Sequence, residues 1–554
     1  MADWIFLDHH TRTRPSPVLM EQFAKETLRH WLMGPTKKAE DEICAILGLP
    51  MANIRLKANR VETHIHLLFT HYIDSMRKTG RTQILTPKNE QESLLGGIRR
   101  LATFEVQGVF LPVTEKGELI PAVLEEKVCA RSSLLSLSWA HPQTGVIQPI
   151  ADLIRICKEN EIMVHLDISA VIGKLDFQLA DLDADFITFD GGLLGMPLPL
   201  GVILSKHPLW HTQEAPFAQY SNLAAALRAT FDKVENYAIQ TSPVRDLLEA
   251  KLEEMGATIP FRDTMRLPNV ATCQFEGIHS EQILHELKKE GIFVSKVDPF
   301  SVSFVLSDET KKTEIDRVIE IFPALLEKLQ KRKKLFTKED AEAKNMRLCQ
   351  KTLGKKEEGR ELTLALLVDE EDGVIADACF SAFGPPTLHD AAEAACNELL
   401  RKNYMQARRM SADLIEKKMS LVPNNSDLNL VIDAIDEATK DCMDIPIEDI
   451  YVAPPDMAEG KRTIYPGWES LTNAQKKAVI AEVIERDIRP YVELDDGGVE
   501  VVKIEDNRVT ITYSGNCTSC FSATGTTLDA ISGILRHKIY PDLMVIPDIA
   551  LFQN

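Results

Sequence analysis

Two thiols two residues apart, Cys517 and Cys520 in "SGNCTSCFSATG" (514–525), are the only closely spaced cysteines in the chain. A Cys-x-x-Cys loop can turn both sulfurs to one ion, and a helix start beyond it favours thiolate over thiol through its partial positive charge. Thiolates are what metals bind. Two are half of the roughly four ligands that zinc or a cubane iron–sulfur cluster takes, so one copy cannot close a site and a second chain would have to complete it. The same spacing serves a redox disulfide or plain packing. A thioredoxin-type motif, however, opens the helix after the first strand of a larger sheet, which this tail is too short to build.

The other eight cysteines, Cys44, Cys129, Cys157, Cys273, Cys349, Cys379, Cys396 and Cys442, are scattered singly and form no disulfide framework. In a reducing compartment such residues are small buried hydrophobes. His141 and His165 sit at strand ends, where a structural role is expected over a catalytic one.

Elements must position these groups. Over the first 335 residues amphipathic helical patterns alternate with short apolar runs: "RTQILTP", "VQGVFLP", "LLSLSWA", "IMVHLDIS", "ADFITFD" and "LGVILS". Strands separated by helices predict a mainly parallel sheet in an α/β domain. "FTKEDAEAKN" marks a polar boundary. "LTLALLVDEEDGVIADACF" then reads as a strand pair with an acidic turn, and helical patterns run from about 388 to 442. Prolines in "IPIEDIYVAPPDMAEGKRTIYPG" predict an extended link. The tail reads helix (471–488), strand–turn–strand "VEVVKIEDNRVTITYSG", cysteines, helix. Val509, Ile511 and Tyr513 alternate with polar residues, and Leu528, Ile531, Leu535 and Ile539 keep helical spacing. The cysteines therefore fall in a strand-to-helix loop.

The chain has 554 residues, 44% of them hydrophobic and 26% charged. That length implies several ordered domains. A formal net charge of −20 repels nucleic acid and anionic membranes over most of the surface, and "KLQKRKK" (328–334) reads as a cationic helix end. No apolar run is long enough to span a membrane. "MADWIFLDHH" lacks a secretory pattern, so a cytoplasmic location is expected.

The segment "IRPYVELDDGGVEVVKIEDNRVTITYSGNCTSCFSATGTTLDAISGIL" resembles the Nfu domain of NifU-type scaffold proteins. Arg489, Pro490, Asp496, Gly497, Gly498, Glu500, Gly515, Cys517 and Cys520 match that family's pattern, although the acidic pair here precedes the glycines. The resemblance implies a cluster, typically 4Fe-4S, bridged between two copies by Cys517 and Cys520 and passed to apo-proteins. "DEEDGVIADACFSAFG" and the helices after it resemble the IscU-type half of NifU. There a cysteine follows Phe-Gly, but here Pro385 follows Phe383 and Gly384. The other two ligand positions fall near Glu358 and Asn429, and Cys379 and Cys396 occupy none. An interaction or spacer role is expected for this unit.

"FLDHHTRTRPSPVLMEQF", "HPQTGVIQPIADLIRICKENEIMVHLDISAVIGKLDF" and "DADFITFDGGLLGMPLPLGVIL" resemble NifS-type cysteine desulfurases, pyridoxal phosphate enzymes of the class V aminotransferase fold. The family's Ser-Gly-His-Lys becomes Asp190, Gly191, Gly192, Leu193, and leucine cannot form an imine. Its ring-stacking histidine falls at Gln91, its phosphate loop reads "KANRVE", and its substrate arginine falls near Ser303. Asp167 alone survives at the pyridinium position, and the loop for a persulfide cysteine, between "EGIFVSK" and "VSFVLS", is shortened away.

The expected architecture is multidomain α/β: a class V aminotransferase-like domain (1–335), a small α+β IscU-like unit (345–445), a Pro-rich linker (446–467) and a small α/β Nfu domain (468–554). The expected function is iron–sulfur cluster assembly by a non-catalytic homodimeric scaffold that serves apo iron–sulfur proteins and assembly proteins. Cys517 and Cys520 are its metal and cofactor ligands, no catalytic residue is expected, and pyridoxal phosphate is not expected as a cofactor. A pyridoxal-phosphate-dependent cysteine desulfurase and a dithiol oxidoreductase are the alternatives.

Overall fold

A computed structural model describes residues 4–10, 13, 17–33, 38–206, 217–331, 335–446, 465–489, 497–505, 507–515 and 526–548. Backbone contacts divide the chain into two units. The first is Met1–Arg332 with Lys356–Gly359 and Phe383–Pro385, and the second is the remainder. No helix among the described residues is long and apolar enough to cross a membrane.

The apolar runs of the first unit become one seven-stranded sheet. Its strands are β2 (Ile54–Lys57), β3 (Gln83–Pro87), β4 (Gln107–Leu111), β5 (Ser132–Ser138), β6 (Met163–Asp167), β7 (Phe186–Asp190) and β8 (Gly201–Ser205), in the order β2-β8-β7-β6-β5-β3-β4. The five strands from β4 to β7 run parallel, and β8 lies antiparallel between β7 and β2. Helices cover both faces, which is why β5 and β8 are buried at every position. Leu135, Leu137, Leu166, Phe189 and Val202 belong to its core. Apart from this sheet, β1 (Ile5–Phe6) pairs parallel with β10 (Ile292–Phe293). β9 (Val270–Gln274), β11 (Ser295–Lys296) and β12 (Ser301–Val305) make a small antiparallel sheet.

Asn59 caps helix Arg60–His71, its side chain accepting from the Glu62 amide at 3.0 Å. The helix begins hard against β8: a Cβ on Gly201 would lie 1.7 Å from Thr63 Oγ1 and 2.6 Å from the Asn59 carbonyl, so only glycine admits this approach. Arg60 and His64, one turn apart, therefore share a face at the carboxyl ends of the strands.

The second unit opens with β13 (Met346–Lys355), β14 (Arg360–Asp369) and β15 (Ile375–Phe383), a three-stranded sheet packed by helices Pro386–Leu399 and Asn425–Thr439. The strand pair expected here is β14 and β15. β13 adds a ten-residue partner whose half-exposed, lysine-rich pattern hides it in the sequence.

The tail carries β16 (Gly497–Glu505), β17 (Arg508–Gly515) and β18 (Met544–Pro547), with helices Asn473–Val483 and Thr526–Lys538. β16 and β17 are antiparallel, and β18 joins β17 in parallel. Val509, Ile511, Ile531 and Leu535 lie in its core, on the faces their spacing predicts.

Candidate functional site

Side chains with chemistry gather at the carboxyl ends of β5, β6 and β7, where open α/β sheets bind ligands. Asp167 ends β6 and is 1% exposed. Its Oδ2 accepts from Arg60 Nη2 at 3.0 Å, Arg60 Nε at 3.2 Å and His64 Nε2 at 2.9 Å, while Oδ1 accepts from the Ser169 amide at 2.8 Å. Burial alone would raise its pKa, but Arg60, His64 and Ser169 outweigh it and hold the carboxylate well below the usual range. Arg60 comes from the "KANRVE" segment. Where a phosphate loop was expected to be lost, a protein cation faces the acid instead, 107 residues away in sequence.

Glu90 is the opposite case. It is buried beside Asp167, accepts from the Ser138 amide at 2.5 Å, and is pushed up to about 7 by burial, against the Ser138 hydrogen bond. A carboxyl poised near neutrality can hold or release a proton. Gln91 donates to Ser138 Oγ at 3.2 Å. Asp190 accepts from the Gly192 amide at 2.8 Å, capping the turn Gly191–Leu194. Leu193 is buried, and its carbonyl accepts from Thr13 Oγ1 at 2.8 Å. It lines a cavity of about 110 Å³ with His9, Lys174, Lys233, Tyr237 and Asp308. Lys233 pairs with Asp308 at 2.8 Å, and burial brings Lys174 down to about 8.

Both histidines expected at strand ends are internally satisfied, His165 in the middle of β6 and His141 beyond β5. His165 lies 2.7 Å from Ser136 Oγ and 2.8 Å from Thr188 Oγ1, and burial lowers it to about 3. His141 donates to the Asn89 carbonyl at 3.0 Å, and burial lowers it to about 4. Ser303 Oγ donates to the Gln143 carbonyl at 2.5 Å. β11 and β12 close through a tight turn: Val297 N donates to the Ser301 carbonyl at 3.0 Å, and Asp298 accepts from the Phe300 and Ser301 amides at 2.7 Å each.

These groups predict an acid-labile first unit. Burial lowers His9, His71 and His141 from 6.5 to about 4 and His165 to about 3. Below pH 6.5 the unfolded chain takes up these protons and the folded unit does not, so stability is full above that pH and falls towards pH 4. Glu90 works in reverse: its contribution is present below 4.5 and lost as the pH rises through about 7. Four protons against one leave about three, or roughly 4 kcal/mol per pH unit near pH 5 as an upper bound. The urea midpoint of hydrogen-exchange protection in β5–β7 is expected to fall sharply from pH 7 to pH 5, and more steeply still in Glu90→Gln. Equal midpoints would contradict it.

At the positions of the IscU resemblance, Glu358 and Asn429 are exposed and Gly384 and Pro385 buried. Cys379 and Cys396 are buried too. Asp427, 0% exposed, pairs with Arg360 at 2.6 Å and accepts from Thr387 Oγ1. In the tail, Gly497 pairs across the ladder with Gly515, Gly498 with Ser514 and Glu500 with Thr512. The double glycine that opens β16 and the glycine two residues before Cys517 are thus cross-strand neighbours. Pro490, Asp496, Cys517 and Cys520 lie outside the described residues, between elements the structure does place. Among the described residues no group of three or more His, Cys, Asp or Glu is arranged to hold a metal ion.

Three family profiles match: aminotransferase class-V at residues 62–217, the NifU-like N terminal domain at 331–446 and the NifU-like domain at 480–546. A cysteine desulfurase of Nostoc sp. is 24% identical over 380 residues, spanning 59% of this chain and 94% of its own. The cysteine desulfurase IscS of Clostridium botulinum is 26% identical over 284 residues, 44% of this chain and 72% of its own. Among solved structures, a NifS-like protein superposes with a TM-score of 0.54 at 21% identity over 59% of this chain and all of its own. The apo cysteine desulfurase of Thermococcus onnurineus gives 0.52 at 16%, over 59% of this chain and 96% of its own. The chain therefore carries a class V aminotransferase domain of NifS-like α/β fold followed by two NifU-like domains, the arrangement of a NifS–NifU fusion.

These relatives correct one expectation. The chain was expected to be a non-catalytic scaffold without catalytic residues, yet its named relatives are cysteine desulfurases and point to an enzyme. The expectation rested on Leu193 together with the changed histidine, phosphate-loop and arginine positions and the shortened persulfide loop; beside these, Lys174 lines the cavity at Leu193 and Glu90 is buried near neutrality. The class V match likewise suggests pyridoxal phosphate, which was not expected. The residues present do not fit that group as the resemblance would hold it. Leu193 brings no amine, and the Asp167 carboxylate that would face the pyridinium is already engaged by Arg60 and His64.

Proposed function

We propose that the chain assembles iron–sulfur clusters, and that its tail carries the cluster as cargo on Cys517 and Cys520 before delivery to apo-proteins. The pairing of Gly497 with Gly515 carries this reading, because it puts the double glycine and the glycine two residues before Cys517 on adjacent strands. Two such loops, one from each chain of a homodimer, would supply the four thiolates of a 4Fe-4S centre. The covalent connector keeps each loop near its partner at high effective concentration. The NifU-like domains support this assignment. A second reading, cysteine desulfurase, is favoured by the names of the relatives of the first unit. One preparation tests both. Anaerobically purified chain is analysed for iron, sulfide and visible absorption, then given cysteine, pyridoxal phosphate and a reductant. Cluster content of about one per two chains supports the cargo reading, and colourless, iron-free protein after reconstitution sinks it. Alanine and sulfide in equal, multiple-turnover amounts establish the second.

A further inference from the structure

Cys349 lies on β13 and Cys442 in the turn Lys440–Cys442 that ends helix Asn425–Thr439. Both are 0% exposed, and their Sγ atoms are 3.0 Å apart. A disulfide bond is about 2.05 Å long, so roughly 1 Å of approach separates this thiol contact from a covalent link. The surroundings bias the pair. Arg347, two residues before Cys349 and on the same face of β13, donates to the Asp441 carbonyl at 2.9 Å and pairs with Glu370 at 2.9 Å and with Asp444. Either sulfur can donate in this contact; the contact and Arg347 move Cys442 down against burial, Asp441 and Asp444, while the contact and burial move Cys349 up. Cys442 is therefore the sulfur that ionises first.

We propose that Cys349 and Cys442 are a dithiol modification site that closes, by exchange with a low-molecular-weight disulfide, into a link between the first strand of this half-unit and the end of its last helix. The Cys442 thiolate attacks one sulfur of the reagent, forming a mixed disulfide and releasing one thiolate. Cys349 loses its proton and attacks the Cys442 sulfur, expelling the second. Two protein thiols are oxidised and one disulfide is reduced to two thiols. The two cysteines are 93 residues apart, so the link ties a large loop and restricts chiefly the unfolded chain. Opening of the core around Tyr404 and Ile445, whose hydroxyl–carbonyl bond of 3.0 Å lies beside Cys442, limits access. Exposed Cys129, in contact with Gln83 and Ser132, has no second thiol in contact among the described residues and stops at the mixed disulfide.

The test uses the full chain, reduced, desalted, treated with oxidised glutathione under native conditions and quenched with iodoacetamide. The expected product is a faster band on a non-reducing gel, reversed by dithiothreitol, and a cross-linked peptide joining residues 349 and 442. Both are lost in Cys349→Ala and Cys442→Ala and kept in Cys129→Ala. If the alanine variants fail to fold, the parent alone decides: native oxidation must remove residues 349 and 442 from later labelling in urea. A cross-link that forms only after urea unfolding, or glutathione retained on Cys442 without a cross-link, overturns the proposal.

Discussion

Replacing Cys517 or Cys520 by serine is expected to take the chain's iron and sulfide from about four of each per dimer to near zero. The loss is all-or-none because a cubane cluster held by two pairs of thiolates becomes two ligands short in the symmetric variant, and a serine hydroxyl at neutral pH offers no comparable soft anion. Cys379→Ser and Cys396→Ser serve as controls. Both cysteines are buried in the second unit, away from the ligand positions of the IscU resemblance, so cluster content should persist. Iron and acid-labile sulfide analysis with the visible spectrum checks it. Equal cluster content in Cys517→Ser and the parent would remove the tail from its proposed role.

Asp167→Ala is expected to destabilise the first unit by about 3–5 kcal/mol, since removing one partner of a buried pair leaves a charge uncompensated. Arg60, 14% exposed, would keep its charge beside an empty acid position, and His64 would lose the acceptor of its Nε2 proton. Arg60→Leu alone should cost less, because Asp167 retains His64 and the Ser169 amide. The double variant should recover part of the loss of Asp167→Ala, the signature of direct coupling. Urea titration read by hydrogen exchange in β5, β6 and β7 measures all three. Strictly additive losses would show that the ion pair does not hold the strand ends together.

The six apolar runs of the first unit all became strands, and the tail helices and the β16–β17 hairpin were legible from spacing alone. Period and turn chemistry are local, set by φ/ψ preferences and by which face is buried. β13 and β18 were not legible. β13 alternates weakly because much of it stays half-exposed, and β18 is four residues long, so neither differs from a loop until a partner strand is beside it. The expectation of a non-catalytic first unit went wrong differently: it was argued from Leu193 and the other altered family positions, whereas the named relatives of this domain are cysteine desulfurases.

The sequence by itself determined the order of domains, the cysteine pair of the tail and the residues that replace a lysine, a histidine and a phosphate loop. Only the tertiary structure decided that Arg60 from the altered loop meets Asp167, that Glu90 is buried near neutrality, and that Cys349 touches Cys442. Those pairings join residues as many as 107 positions apart. Charge, burial and thiol reactivity depend on what lies within a few ångströms in space, and neighbours in space across such separations leave no period in a single chain.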